Sequence, residues 1–199
     1  HGFVEAFDRT EGTGSVWRAD TPRQVRHMVA AVVGGKRQLI LGLEDANVIA
    51  LDPATGEEAW SWETGNYVYQ VAAGDLDGDG VDEIVRGDHY GFVTAWNLAG
   101  ERLWTWRPDV GITGAIHGLA VVDVDGDGKA EVAAAGQRYY GPEGYGVIAL
   151  ADGSGKQLWS VRLEGSPNGL RVADLDGDGT PELITGENAN ETCGVAAFR

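Results

Sequence analysis

Three short segments of the chain place carboxylates at alternate positions. They read DLDGDGVDE, DVDGDGKAE and DLDGDGTPE and begin at Asp75, Asp123 and Asp174. Asp fills positions 1, 3 and 5 of each segment, and Glu fills position 9. Because several negative charges at this spacing repel one another unless a cation lies between them, the pattern predicts three metal sites.

Oxygen ligands alone, without His or Cys, select a hard cation, and six or more flexible oxygens favour Ca²⁺ over Mg²⁺. Gly at position 6 permits a sharp turn, after which the backbone carbonyl of position 7 can face the ion. The predicted calcium ligands are Asp75, Asp77, Asp79, Val81 and Glu83 in the first loop; Asp123, Asp125, Asp127, Lys129 and Glu131 in the second; and Asp174, Asp176, Asp178, Thr180 and Glu182 in the third.

An EF-hand is the obvious rival interpretation of these loops. It requires a bidentate Glu at position 12, where this chain has Arg86, Ala134 and Thr185. The EF-hand is therefore rejected. A solvated acidic turn without a metal is the simpler alternative, and if calcium does bind, we expect it to stabilise the fold rather than to catalyse or signal.

Short apolar runs flank each acidic loop, as residues 71–73 and 84–85 do around the first one. This pattern predicts strand, loop, strand. A second hairpin is interleaved with the first: a Gly is followed four residues later by a Trp in Gly56–Trp60, Gly100–Trp104 and Gly155–Trp159. Four antiparallel strands in about 50 residues are typical of a β-propeller blade, so we predict an all-β propeller; a tandem β-sandwich is the alternative.

One large aromatic ring recurs in each unit at a fixed offset. A ring of this size can fill the wedge between two twisted sheets, so we expect these residues to dock between neighbouring blades. The docking residues predicted are Trp17, Trp60, Trp104 and Trp159.

One unit has lost its acidic loop. Val33 stands where the first Asp is expected, and only Gly34-Gly35-Lys36-Arg37 separates the two apolar runs. We predict that this unit keeps the hairpin and binds no metal.

The acidic loops resemble those of FG-GAP (VCBS-type) repeats, as found in the propellers of integrin α-subunits. The pattern A-x-D-x-x-T-G-x-x-x-W from Ala50 to Trp60 is similar to the tryptophan-docking motif of quinoprotein dehydrogenases. The resemblance implies a propeller with calcium at the turns between first and second strands. The chain departs from integrins in using Glu at position 9, and its one Cys excludes the adjacent-cysteine pair of quinoproteins, so we expect no quinone cofactor.

The predicted strands form one propeller domain, 1–199, with complete units at about 25–62, 67–106 and 116–161. A fourth unit at 169–199 is completed by 1–19, which leaves one strand over. Three explanations stay open for that strand: the chain is part of a larger propeller, it is a closed four-bladed ring, or the spare strand completes the next molecule and builds head-to-tail filaments.

The chain has 199 residues and a formal net charge of −16. Phosphate contacts need clustered Lys and Arg, so nucleic acid is not expected as a partner. No apolar run is long enough to span a membrane. Cys193 is the one cysteine, which excludes an internal disulfide. No secretion signal is visible, and because the sequence begins at His1, we expect a mature form or a fragment.

Other residues give weaker signals. His27, Tyr69, His117 and Asn168 would begin the innermost strands and ring one channel mouth, either as a ligand site or as ordinary polar strand starts. Asn190 heads an N-glycosylation sequon in a predicted exposed loop. The loop 137–145 is rich in Tyr and is the best candidate in the sequence for a protein or glycan contact.

These observations favour an extracellular or cell-surface, calcium-stabilised adhesion, scaffold or filament module that is not an enzyme. The alternative is the propeller part of a polysaccharide-acting, lyase-like enzyme, although the sequence shows no convincing catalytic constellation. Fold alone does not decide between them.

Overall fold

The computed structural model describes residues 1–10, 14–109, 111–138, 145–188 and 193–198. All helix and strand elements of this part are strands. They are β1 (Gly2–Phe7), β2 (Ser15–Thr21), β3 (Val25–Val33), β4 (Lys36–Leu43), β5 (Asn47–Leu51), β6 (Glu58–Glu63), β7 (Val68–Gly74), β8 (Glu83–Asp88), β9 (Val93–Trp96), β10 (Arg102–Trp106), β11 (Ile116–Val122), β12 (Glu131–Arg138), β13 (Tyr145–Ala151), β14 (Gln157–Leu163), β15 (Ser166–Pro167), β16 (Arg171–Ala173), β17 (Glu182–Asn188) and β18 (Cys193–Phe198).

Consecutive strands pair antiparallel and form four-stranded sheets. Strands β3 to β6, β7 to β10 and β11 to β14 each form one sheet in chain order, and β15 to β18 form a fourth. The innermost strands β3, β7 and β11 lie next to one another. These are the blades of a β-propeller, so the predicted fold class is confirmed.

The core of the protein lies between neighbouring sheets. Fully buried Ile40 and Val48 pack with Val68 and Ile84 of the next sheet, and similar clusters fill the two following junctions. Most side chains of the middle strands are thus apolar on both faces of their sheet, which explains why these strands are mainly continuous apolar runs instead of alternating ones.

The unit without an acidic loop forms the predicted hairpin. Val33 pairs with Lys36, and Gly34 and Gly35 both have positive φ, 58° and 73°. Two residues with positive φ make the type I′ turn that matches the twist of a two-residue hairpin.

The C-terminal sheet differs from the sequence expectation in one respect. Its innermost strand is split into β15 and β16, which both pair with β17, while β18 pairs with the other edge of β17. The break falls at Gly169, whose φ of +87° is incompatible with an extended strand. The described residues therefore form two short strands, β15 and β16, where the sequence pattern predicts one innermost strand.

Strands β1 and β2 form a separate two-stranded sheet. Val4 of this hairpin packs on Leu41 and Leu43 of the following sheet. The completion of the fourth unit by residues 1–19 therefore stays a proposal. Within the described residues, no helix has the length and apolar character to cross a membrane.

Candidate metal centres

Each acidic loop joins the innermost strand of a sheet to the second strand. The loops begin directly after β7, β11 and β16, and the Glu at position 9 is the first residue of β8, β12 and β17. The Gly at positions 4 and 6 has positive φ in all three loops, from 78° to 90°. The chain can turn there because Gly has no Cβ.

The first Asp of each loop accepts the backbone donors of the turn. Asp75 Oδ1 accepts the N–H of Gly78 at 2.7 Å, and its Oδ2 accepts that of Gly80 at 2.8 Å. Asp123 and Asp174 bind the equivalent Gly N–H groups at 2.7–3.0 Å. The loops therefore share one conformation that does not depend on their variable residues.

The remaining two Asp of each loop close smaller turns. Asp77 Oδ1 accepts the N–H of Asp79 at 3.1 Å, and Asp79 Oδ1 accepts that of Val81 at 2.8 Å. The second and third loops repeat both bonds. The N–H of Val81, Lys129 and Thr180 is thus engaged, whereas the predicted use of their carbonyls as ligands stays a prediction.

The Glu at position 9 is anchored beneath each loop. Glu83, Glu131 and Glu182 are only 3–5 % exposed. One oxygen of each carboxylate accepts the N–H of the residue after the first Asp, at 2.8–3.0 Å. The sheet and this hydrogen bond together hold the Glu side chain against the Asp side chains.

Three carboxylates meet in every loop. Oxygens lie within 4.8 Å of one another in Asp75, Asp77 and Glu83; in Asp123, Asp125 and Asp127; and in Asp174, Asp176 and Glu182. The three predicted ligand sets are therefore each brought together at least in part. Asp79, Glu131 and Asp178 lie outside these tightest groups but belong to the same loops.

The electrostatics of the loops favour a cation. Burial, and then the charges of Asp77, Asp79 and Asp75, raise the pKa of Glu83. Burial and the three neighbouring Asp raise the pKa of Glu131 in the same way. Burial also opposes ionisation of Asp75, but the N–H groups of Gly80, Gly78 and Asp79 outweigh it and hold the pKa of Asp75 below its ordinary value. A hard divalent cation would remove the repulsion and fits this all-oxygen donor set.

The predicted docking tryptophans lie between neighbouring sheets, but at Trp60 the contact with the next sheet differs from the prediction. Trp17 Nε1 donates to the Pro53 carbonyl at 2.9 Å, and Trp104 Nε1 donates to the Gly153 carbonyl at 2.9 Å. Trp159 packs in the cluster that joins β11–β14 to the C-terminal sheet.

Between the sheets β3–β6 and β7–β10, the indole that lies against the turn at Gly100 is that of Trp62 and not that of Trp60. A Cβ on Gly100 would lie 3.2 Å from Trp62 Nε1. Trp60 stacks on Trp62 with ring centroids 4.0 Å apart and donates to Gln38 within its own sheet. The Gly–Trp spacing alone could not show this, because the strand carries an indole at both positions.

The predicted channel-mouth residues are partly in contact. Tyr69 and His117 have ring centroids 5.6 Å apart, and Tyr69 also lies 5.7 Å from His89. Burial, and then the charge of His89, lower the pKa of His117. Asn168 binds the Gly186 carbonyl through its backbone N–H at 2.8 Å.

Some sequence predictions fall on other parts of the chain. Asn190 lies outside the described residues, as do residues 139–144 of the loop 137–145.

One buried charged pair, Arg86 and Asp88, was not predicted from the sequence. Its signal was an Arg in the otherwise apolar run 84–87.

Comparison with known proteins agrees with this geometry. Residues 75–134 match the family model described as FG-GAP-like repeat, which includes the first two acidic loops. Cartilage acidic protein 1 of Xenopus tropicalis is 30% identical over 90 residues, which cover 41% of this chain and 14% of that protein. The resemblance inferred from the acidic loops is thus confirmed for residues 75–134.

Two solved structures show the same architecture. BBS1N, in its complex with ARL6DN, superposes with a TM-score of 0.65 at 16% identity, over 89% of this chain and 51% of that one. The WD40 repeats of RRP9 give a TM-score of 0.65 at 11% identity, over 90% of this chain and 52% of that one. WD40 repeats form propeller blades. The chain spans about half the length of these two structures.

Proposed function

We propose, from the premise that residues 75–134 match an FG-GAP-like repeat, that this chain is a calcium-stabilised propeller module that acts outside the cell by binding and not by catalysis. The observation that carries the proposal is the threefold repetition of one loop, with three carboxylates within 4.8 Å in each copy. The propeller fold itself is consistent with such an adhesion-type module.

Each loop would hold one Ca²⁺ through its three Asp, the Glu and the carbonyl of position 7. Bound calcium would supply positive charge that offsets the repulsion among these groups. The chain's own contribution is to hold the carboxylates in place: backbone N–H groups orient each Asp, and the second strand fixes the Glu.

Calcium at the first loop would also stabilise the junctions of its sheet with the two neighbouring sheets. The Asp75 carbonyl accepts the N–H of Ala130 in the next loop at 2.8 Å. Asp82 Oδ2 accepts the N–H of Val32 in the preceding sheet at 2.9 Å. A loop that is ordered by a metal therefore keeps hydrogen bonds to both neighbours.

Calorimetric titration with calcium tests the metal sites. We expect three sites, one for each acidic cluster, with dissociation constants of about 10⁻⁴–10⁻³ M, as in extracellular modules. Asp123→Asn keeps the shape of the side chain and removes one charge, so one site should be lost or strongly weakened. Asp52→Asn changes an Asp that also caps a turn, through Ala54, and should leave the number of sites unchanged. Equal calcium binding by the unchanged protein and by Asp75→Asn, Asp123→Asn and Asp174→Asn would contradict the proposal.

A binding surface for a partner is supported at the end of the propeller opposite the acidic loops. Tyr67 and Tyr90 are 52% and 49% exposed there. With Arg23 and Asp45 they line an open cavity of about 520 Å³. Tyr and Arg are enriched at recognition surfaces. A glycan or protein ligand and glycosylation of Asn190 remain parts of the same proposal.

An assay of catalytic turnover distinguishes a binding module from the lyase-like enzyme that is the alternative. Incubation with acidic polysaccharides should yield no unsaturated product, whether calcium is present or removed. Steady product formation that is lost on unfolding would favour the enzyme instead.

Self-assembly through the termini is the remaining proposal for partners. It is supported by β18, which repeats the pattern of β1 and, among the residues that the structure describes, pairs on one edge only, with β17. Sedimentation velocity over a range of concentrations should show reversible head-to-tail growth. A peptide of residues 2–21 should block that growth and its scrambled version should not; a monomer at every concentration would rule the assembly out.

A further inference from the structure

Three sheets turn an equivalent face toward the sheet before them. The cross-strand pairs Leu41–Ile49, Arg86–Thr94 and Ala134–Ala149 occupy the same register positions. So do the innermost pairs Val25–Leu43, Val68–Asp88 and Ile116–Gly136. The three faces can therefore be compared residue by residue.

Two of these faces are apolar. Leu41, Leu43, Ile49 and Leu51 form a buried cluster with Val4. In the sheet β11–β14, Ala134, Ala149 and Ala151 pack against residues of the preceding sheet. Both faces have the composition expected of a propeller core.

The face of β7–β10 is polar at the same positions. It carries Arg86, Asp88, Thr94 and Trp96, which are 3%, 0%, 2% and 7% exposed. A buried ion pair is seldom more stabilising than the apolar residues it replaces, because both charges lose their hydration. Stability alone therefore does not account for the exchange of Leu41 and Leu43 for Arg86 and Asp88.

The pair is held rigidly by its surroundings. Asp88 Oδ1 accepts the N–H of Tyr90 and of Phe92 at 2.8 and 2.9 Å, and Oδ2 faces Arg86 Nη2 at 3.4 Å. Arg86 Nη1 donates to the carbonyls of Thr64 and Asn66 at 3.2 and 3.0 Å. Arg86 Nε is buried and has no hydrogen-bond partner within the described residues.

A cavity of about 320 Å³ opens beside this pair. It lies between the linker 64–66 and the strands β8 to β10. The rings of Phe92 and Trp96 line it, together with the hydroxyls of Thr94 and Thr105, 3.3 Å apart, and with Arg102. The volume is at the lower end of the range for small-ligand pockets, and the mixture of aromatic rings and a few fixed polar groups is typical of them.

We propose that this cavity binds one carboxylate-bearing sugar unit. Arg86 and Arg102 together exceed the single charge of Asp88, so the pocket is locally cationic in a chain of net charge −16. Guanidinium groups recognise carboxylates by charge-assisted hydrogen bonds. The Thr hydroxyls can exchange hydrogen bonds with sugar hydroxyls, and the aromatic rings can contact the face of the sugar ring.

The residues that line the pocket lie outside the acidic loops, so the pocket can be tested separately from them. D-galacturonate and D-galactose are matched probes, because they differ only in a carboxylate against a hydroxymethyl group. We expect ligand-observed NMR and calorimetry to show binding of galacturonate at least tenfold tighter than binding of galactose. Equal affinity, or no binding of galacturonate at millimolar concentrations, would overturn the proposal.

Variants of the lining residues test whether galacturonate binds in this cavity. Arg102 is exposed, so Arg102→Gln should leave the fold intact and weaken galacturonate at least tenfold. Arg86→Leu with Asp88→Leu copies Leu41 and Leu43 of the preceding sheet and should abolish binding. Arg37→Gln removes an exposed Arg far from the cavity and should have no effect. If Arg102→Gln binds galacturonate as tightly as the unchanged protein, the pocket is not the site.

Discussion

The hairpins β3–β4 and β7–β8 have the same strand register but different connections. Two residues, Gly34 and Gly35, join the first pair, whereas residues 75–82 join the second. Both hairpins supply fully buried side chains to the core, such as Ile40 and Val85. A blade of this chain can therefore form its hairpin without an acidic loop, and the loop must serve another purpose.

The contacts of the two connections show what that purpose is. A Cβ on Gly35 would meet nothing within 4 Å. The loop 75–82 instead binds the sheets on both sides, through Asp82 to Val32 and through Asp75 to Ala130. The turn at Gly153 also lies directly on the Leu76 carbonyl, so closely that a Cβ there would be 1.9 Å away. The apolar strands build each blade and pack it on the next one, and the acidic loop adds hydrogen bonds to both neighbours.

The largest expected effect lies in the blade without an acidic loop. Leu41→Ala removes a side chain that is fully buried, and it should lower the free energy of unfolding by about 2–5 kcal/mol. Urea unfolding followed by tryptophan fluorescence measures this change. The loss should be the same with calcium and with EGTA, because Leu41 packs far from any acidic loop. A loss below 1 kcal/mol would contradict the role given to the apolar strands.

The sequence predicted one part of this comparison for physical reasons, namely that the unit without an acidic loop keeps its hairpin. Alternate carboxylates with Gly at fixed positions have few structural uses besides a turn that holds a cation, and the loss of the first Asp at Val33 marked the blade without one. Strand boundaries followed from apolar runs ended by Gly.

What the sequence did not show depends on contacts between distant residues. Gly169 could be a tolerated strand residue or a break, and only the pairing of β17 with two short strands decides it. Whether Trp60 or Trp62 lies against the turn at Gly100 depends on a distance between two sheets, which the sequence does not give. The sequence gives no sign that Arg86 and Asp88 line one cavity, because that cavity forms only when the strands β8 to β10 and the linker 64–66 come together.

Replacing the loop 75–82 by Gly-Gly would give the hairpin β7–β8 the two-residue connection of the hairpin β3–β4. The protein should still fold and should bind one calcium fewer. Its stabilisation by calcium should fall by about 2.7 kcal/mol at a free calcium concentration one hundred times the dissociation constant. Thermal melting at several calcium concentrations measures this difference.

The matched control for the loop replacement is Lys36→Ala, at the start of β4 beside the turn of the hairpin without an acidic loop. It should leave the number of calcium sites and their stabilising effect unchanged. An unfolded loop replacement would mean that the acidic loop is needed to form the blade, contrary to the comparison of the two hairpins.

The smallest expected effect distinguishes the turn at Gly155, which lies against the Trp104 ring, from the turn at Gly35, where a Cβ would meet nothing within 4 Å. Gly155 and Gly35 have similar positive φ, +82° and +73°, so Ala at either position should cost about 1–2 kcal/mol in backbone strain. A Cβ on Gly155 would also lie 2.7 Å from the Trp104 ring. Gly155→Ala should therefore cost about 1 kcal/mol more than Gly35→Ala and should shift the tryptophan emission, because overpacking displaces the indole. Equal costs with unchanged emission would show that the position of the Trp104 indole does not depend on its contact with this turn.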